Sequence, residues 1–267
     1  MAELEKISDS PEFEANELIA AATNKSKDSL YFMGDEELSP KQIRTLKHSL
    51  RKRKRGIPLQ YILGEWEFYS APFYVGKGVL IPRADSELLV DLALDEIEDK
   101  QNPVVFDLCS GSGAIGIAVA LNNKTAKITL VEKSKKAFKY LLKNCELNRV
   151  NVNKELADIT VWRSQEKADL IVCNPPYITS SEMKELQIEV KKEPHMALFG
   201  GDDGLKFYRL LAQIARDMLK PNGKVFMEIG YKQGIEVKSI FEENGYTNVE
   251  IIKDLSKNDR VVIAQLN

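Results

Sequence analysis

The run Val104-Val105-Phe106-Asp107-Leu108 has the length and composition of a buried strand, and it leads directly into Cys109-Ser110-Gly111-Ser112-Gly113-Ala114-Ile115-Gly116. Helix-forming apolar sequence follows at once over 114–122. A strand that gives way so abruptly to a helix needs backbone angles closed to most side chains, and glycine at 111 and 113 supplies them. The turn also aims unsatisfied N–H groups of the helix N-terminus at whatever lies above it, so a small polar ligand is expected there. Strand, glycine turn and helix in that order restrict the chain to folds in which a sheet feeds helices onto its faces.

The surrounding pattern agrees. After Pro82 the sequence alternates helices at 85–98, 114–122, 134–148 and 205–219 with strands at 104–108, 127–132, 168–173, 223–229 and 261–266. This predicts a doubly wound, Rossmann-like α/β domain over 82–267. Upstream, helix formers fill 12–55 in short amphipathic runs, with Ile43, Leu46 and Leu50 at helical spacing, so a small helical domain is expected over 1–58. Ser39-Pro40 opens its last helix as N-cap and first position, Arg51 to Arg55 close it, and Gly56 and Pro58 stop it. Aromatic and β-favouring residues around Ser70-Ala71-Pro72 make 59–81 a β-hairpin linker.

Composition removes several function classes. With 38 basic and 40 acidic residues the net charge is -2, so the molecule as a whole is no nucleic-acid binder and any basic footprint must be local. The run Arg51 to Arg55 could meet an acidic partner protein or RNA, but a solvated helix end is the preferred reading. Cys109, Cys145 and Cys173 cannot all pair and lack metal-ligand spacing, which fits a reducing compartment. Only His48 and His195 are available, which leaves little for a zinc site or a Ser-His-Asp hydrolase, and no metal is expected. The acidic segment Met1 to Glu14 carries no export or import pattern, and no apolar stretch spans a bilayer. A cytoplasmic monomer without membrane or stable nucleic-acid partner is expected.

The second strand ends at Glu132, downstream of Gly113 by the spacing at which a carboxylate can accept from both ribose hydroxyls. A glycine turn plus this acid means an adenosine ligand, which dinucleotide dehydrogenases also bind; tight packing alone would explain the glycines too. Asp107 would oppose a pyrophosphate but suit an ammonium group, which favours S-adenosylmethionine. Asp158 and Ile159 follow the next short strand, where they can meet the adenine as acceptor and apolar face or lie in a surface loop.

Asn174-Pro175-Pro176-Tyr177 lies just after the apolar strand 169–173, and open α/β sheets bind ligands outside the carboxyl ends of their strands. The two prolines stiffen the turn. A planar NH2 group is a poor nucleophile because its lone pair is delocalised, so it must be oriented. The Asn174 side-chain oxygen and the Pro175 carbonyl can each take one of its N–H groups, and orientation of this kind contributes up to roughly 7–11 kcal/mol. Tyr177 would pack on the planar substrate. The alternative is a turn that merely ends a strand.

Together, Asn-Pro-Pro-Tyr and the glycine turn resemble the amino-group methyltransferases of DNA adenine and of protein glutamine. Pro58-Leu59-Gln60-Tyr61-Ile62-Leu63-Gly64, Val79-Leu80-Ile81-Pro82-Arg83-Ala84-Asp85-Ser86-Glu87, Glu193-Pro194-His195 through Gly204-Leu205, Glu228-Ile229-Gly230 and Asp259-Arg260-Val261 are similar to the release factor glutamine methyltransferase family. The resemblance spans nearly the whole chain and is loosest over the helical segment that ends near Arg55. It implies a class I methyltransferase fold, S-adenosylmethionine as cofactor with S-adenosylhomocysteine as product, and the Gly-Gly-Gln glutamine of class I peptide chain release factors as substrate. By the same resemblance Asn174, Pro175, Pro176 and Tyr177 hold the glutamine amide. Asp107, Cys109, Ser110, Gly111, Ser112, Gly113, Glu132, Asp158 and Ile159, with Asn174, hold the cofactor.

Cys109 departs from the family's usual glycine, Ala84 from a proline, and Ile159 from an aromatic residue of some members. A DNA adenine methyltransferase would need a target-recognition segment and a basic face; a binding protein without catalysis would not keep Asn174 to Tyr177 intact. Arg83 would contact the partner or pair with Asp85 or Glu87. Gly200 to Gly204 reads as a turn packed near the cofactor domain, and His195 is given no catalytic role.

Overall fold

The computed structural model describes residues 3–30 and 36–267, so positions 1, 2 and 31–35 of the expected helical domain lie outside the described residues. Its N-terminal part holds α1 (Pro11–Thr23), the single turn α2 (Lys27–Leu30) and α3 (Pro40–Lys54). Ser39 caps α3 through a reciprocal pair with Gln42, and Pro40 takes the first position, where its missing N–H loses nothing. At the other end the solvated reading of the basic run fails for one residue. Arg53 is buried and donates to both oxygens of Glu14 at 2.7 and 2.9 Å and to Glu189 at 2.6 Å. Arg51, Lys52, Lys54 and Arg55 are exposed as expected.

The expected hairpin is shorter than 59–81. Its first segment forms α4 (Leu59–Leu63), delimited by Pro58 before and left-handed Gly64 after. Pro and Gly punctuation outweighed the β-favouring composition there. The hairpin proper is β1 (Glu65–Phe68) paired antiparallel with β2 (Ala71–Tyr74), turned by Tyr69 and Ser70 at positive φ.

From α5 (Glu87–Ile97) onward the alternation is real: β3 (Val104–Leu108), α6 (Ala114–Asn122), β4 (Lys127–Glu132), α7 (Lys135–Leu147), β5 (Asn153–Leu156) and β6 (Ala168–Cys173). Two single turns, α8 (Glu182–Glu185) and α9 (His195–Leu198), interrupt the crossover to α10 (Lys206–Met218). The chain closes with β7 (Leu219–Glu228), α11 (Gly234–Glu243), β8 (Thr247–Lys253) and β9 (Asp259–Gln265). The seven strands order β5-β4-β3-β6-β7-β9-β8, with β9 antiparallel to its neighbours and the rest parallel.

β3 is buried throughout, and its alternate residues feed two cores. Phe106 and Leu108 pack with Tyr208, Leu211, Ala215 and Phe241 on one face, while Val105 packs with Ala93, Ile117, Leu170 and Phe226 on the other. Each such large side chain contributes about 1.5–3 kcal/mol by leaving water. From β3 the chain steps to β4 on one side and later reaches β6 on the other. That reversal opens a crevice at the carboxyl ends of β3 and β6, where Cys109 and Asn174 begin their loops.

Candidate active site

The loop after β3 is shaped by three left-handed positions in alternation: Cys109 at φ 62°, Gly111 at 57° and Gly113 at 82°. Glycine bears this freely; a cysteine there costs on the order of 1 kcal/mol, held by the surrounding bonds. Ser110 supplies them, its N–H donating to Val131 O at 3.1 Å and its hydroxyl to Asp107 O at 2.7 Å. Ser112 is buried, and its carbonyl accepts from Asn144 at 2.9 Å.

A cavity of about 340 Å³ lies over this loop, and Cys109, Gly111, Glu132, Asp158, Ile159, Asn174 and Pro176 all line it. Glu132 ends β4 with one oxygen accepting from Gly111 N–H at 2.8 Å and the other from Ser134 N–H at 2.5 Å. Burial raises its carboxyl above the usual range against the pull of those N–H groups. Asp158 is held by Lys133 at 2.6 Å and by Thr160 N–H, which lower its carboxyl. Ile159 is 5 % exposed and presents an apolar wall. A carboxylate at the glycine loop, a second beside it and an apolar wall fit an adenosine group.

Asp107 sits elsewhere than expected. It is 1 % exposed beneath the loop, outside the cavity lining, with one oxygen accepting from Gly116 N–H at 2.9 Å and the other without a partner among the described residues. Burial first, and the charge of Glu132, push its carboxyl up to about 7. It therefore braces the turn from the α6 side, beneath the residues that line the cavity.

At the end of β6 the Asn174 side chain donates to Glu228 at 2.8 Å and to Ser86 at 3.1 Å. Tyr177 donates to the other Glu228 oxygen at 3.3 Å, and Ser86 to Glu228 at 2.5 Å. Glu228 is 2 % exposed, and burial raises its carboxyl while Arg260 opposes the rise. A carboxylate offers no proton to the Asn174 oxygen, so the Asn174 nitrogen must face it and the oxygen is turned away, free to accept. The glycine turn at 200–204 holds the backbone on the far side of Tyr177: Gly200 N–H donates to Ile178 O at 2.9 Å, and a Cβ on Gly200 would lie 2.6 Å from Tyr177 Cα. Gln233 clamps the Tyr177 carbonyl at 3.0 Å. Pro175 is buried and Tyr177 half-buried beside, not in, that cavity.

Arg83 pairs with neither Asp85 nor Glu87. It meets Glu193, whose second oxygen accepts from Ile81 N–H at 2.9 Å, while Asp85 pairs with Arg260 at 3.0 Å and Glu87 accepts from Tyr69 N–H. Sequence reasoning quoted Ser86, Glu193 and Glu228 within the motifs of the resemblance but gave them no role in the site. The available signal was placement: Glu228 ends the strand next to the one that delivers Asn174.

Residues 1–64 match the PrmC N-terminal domain and residues 84–193 the methyltransferase small domain. A release factor glutamine methyltransferase of Thermodesulfovibrio yellowstonii is 38% identical over 256 residues, covering 94% of this chain and 91% of that protein. One from Fusobacterium nucleatum is 44% identical over 219 residues, 81% of this chain; the match spans 62% of that relative's length. In fold, the chain is similar to a T. thermophilus 16S rRNA N2 G1207 methyltransferase solved with AdoMet and guanosine, at TM-score 0.53 and 18% identity over 76% of this chain and 50% of that one. A Pyrococcus furiosus methyltransferase gives TM-score 0.50 at 22% identity, over 66% of this chain and 82% of its own. The glycine turn under the cavity, the Asn-Pro-Pro-Tyr loop beside it and these relatives agree, and the chain belongs to the release factor glutamine methyltransferase family.

Proposed function

We propose that this chain transfers a methyl group from S-adenosylmethionine to the side-chain amide nitrogen of the glutamine in the Gly-Gly-Gln motif of class I peptide chain release factors. The observation that carries the reading is the Asn174 amide, whose nitrogen is committed to Glu228 and Ser86, leaving its oxygen free to accept on a residue that lines the cavity.

S-adenosylmethionine, when bound, supplies a methyl group on a positively charged sulfur. The chain's own task is to hold a weak nucleophile still. The Asn174 oxygen and the Pro175 carbonyl would each accept one N–H of the glutamine amide, fixing its rotation and removing competing bonds, while Tyr177 packs on its plane. Glu228 serves as an anchor, not a base, because its oxygens are taken by three donors. Glu132, Asp158, Ile159 and the turn 109–113 would hold the adenosine end, with Asp107 supporting the turn from below.

The test is mass spectrometry of the Gly-Gly-Gln peptide after incubating a release factor with the protein and S-adenosylmethionine, with Asn174→Ala as control. One added methyl on the glutamine, lost in the variant, is the expected result. Transfer to adenine in DNA instead of the glutamine would overturn it.

A further inference from the structure

The chain carries a net charge of -2, yet α3 contains no acidic residue. Lys41, Arg44, Lys47, Arg51, Lys52 and the C-cap residue Arg55 are exposed, and none forms an ion pair among the described residues. At about 100° per residue these six fall within an arc of about 140°, extending about 20 Å along the axis. The opposite side carries Gln42, Leu46, Ser49, Leu50 and Arg53, every one half-buried or buried, with Arg53 tied to Glu14 and Glu189. The basic stripe therefore points away from the methyltransferase half, and something lying on it leaves the catalytic crevice open.

We propose that this face docks RNA through its phosphodiester backbone. The composition of the stripe selects this partner over an acidic protein. Protein interfaces are depleted in lysine and centred on aromatic or apolar anchors, whereas the arc here holds three lysines, three arginines and no large apolar side chain. The only other large side chain within the arc is the exposed His48, and a surface held mainly by lysine and arginine contacts phosphates more than base edges, so binding is largely independent of sequence and sensitive to salt. The choice of RNA over DNA rests on the function proposed above, since a protein that modifies a translation factor works beside RNA.

The test is fluorescence anisotropy with a labelled RNA duplex of about 16 base pairs, a DNA duplex of the same sequence and polyglutamate, read between about 50 and 200 mM salt. We expect micromolar RNA binding whose log–log salt slope lies near -4 to -5, roughly one unit per phosphate neutralised. R44E/K47E/R51E should weaken it at least about tenfold and flatten the slope by about 3. The neutral R44Q/K47Q/R51Q should fall between the two. Both variants should keep the wild-type circular dichroism and methylate an isolated Gly-Gly-Gln peptide normally. No RNA binding at the lower salt, or equal binding by the charge-reversed variant, overturns the proposal. DNA bound about tenfold more tightly than RNA, or polyglutamate bound as tightly as RNA, reassigns the face and overturns it as well. If RNA binds as expected but no release factor is methylated, the functional reading fails while the surface stands.

Discussion

The side-chain nitrogen of Asn174 donates to Glu228 at 2.8 Å, and this bond decides which end of the Asn174 amide faces the cavity. An amide can flip end for end at almost no steric cost, so its usefulness as an acceptor depends on a neighbour that accepts only. In Glu228→Gln the new amide can donate as readily as accept, and Asn174 can then present its own NH2 to the substrate's NH2. We expect kcat to fall about 10- to 100-fold, or about 1.4–2.7 kcal/mol of barrier, with cofactor affinity measured by calorimetry unchanged. An equal loss of cofactor binding and rate would make Glu228 a structural residue only.

Arg53 joins α1, α3 and the segment beyond Tyr177 through Glu14 and Glu189. Removing the cation from a buried cluster leaves two carboxylates unpaired. Arg53→Met should lower the stability read by urea unfolding by about 3 kcal/mol, and Glu14→Gln added to it should restore at least half, because one buried charge is then gone. Additive losses in the double variant would show that the burial of Arg53, not its pairing, matters.

These two residues mark the limit of what the sequence displays. The glycine turn, the burial of β3 and the loop at Asn174 follow from local composition, because a strand buried on both faces must be apolar and a left-handed turn needs glycine. β8 escaped because an edge strand with one solvent face, Thr247-Asn248-Val249-Glu250, has no apolar run. α11 escaped because Gly234 begins it without an N-cap hydrogen bond from the side chain before it. Arg53 could not be told from its exposed neighbours in a run of five cations, since its acids lie 39 and 136 residues away. Glu228 and Ser86 are likewise joined to Asn174 only by topology, across 54 and 88 residues.

Asp107 should leave a signature in the pH dependence of stability. Its carboxyl rises from an ordinary 3.8 to about 7 on folding, so the folded state binds the proton more tightly than the unfolded chain. The associated stabilisation is fully present below about pH 4 and is lost as the pH rises through 7, on the order of 4 kcal/mol in all. Asp107→Asn keeps an acceptor for Gly116 N–H and cannot ionise. The difference in unfolding free energy between variant and wild type should therefore grow in favour of the variant from pH 4 to 8 and level off above. A constant difference across that range would mean that Asp107 stays charged in the fold.

Two glycines separate crowding from backbone strain. Gly200 has ordinary backbone angles, but a Cβ there would meet Tyr177 Cα at 2.6 Å, Pro176 O at 2.7 Å and Gly204 O at 2.9 Å, all backbone atoms that cannot swing aside. The turn or the Asn-Pro-Pro-Tyr loop must move, so Gly200→Ala should cost about 1–3 kcal/mol of stability and lower kcat at least about tenfold through a displaced Pro175 carbonyl. Gly64 is the converse: its φ is 84°, and nothing lies within 4 Å of an added Cβ. Gly64→Ala should cost about 1–2 kcal/mol from the left-handed angle alone and leave kcat as it was. Thermal melts and initial rates on both variants decide the matter. If Gly200→Ala loses stability but keeps its rate, the turn supports the fold without setting the geometry of the loop, and the orientation attributed to Pro175 must come from its own two prolines.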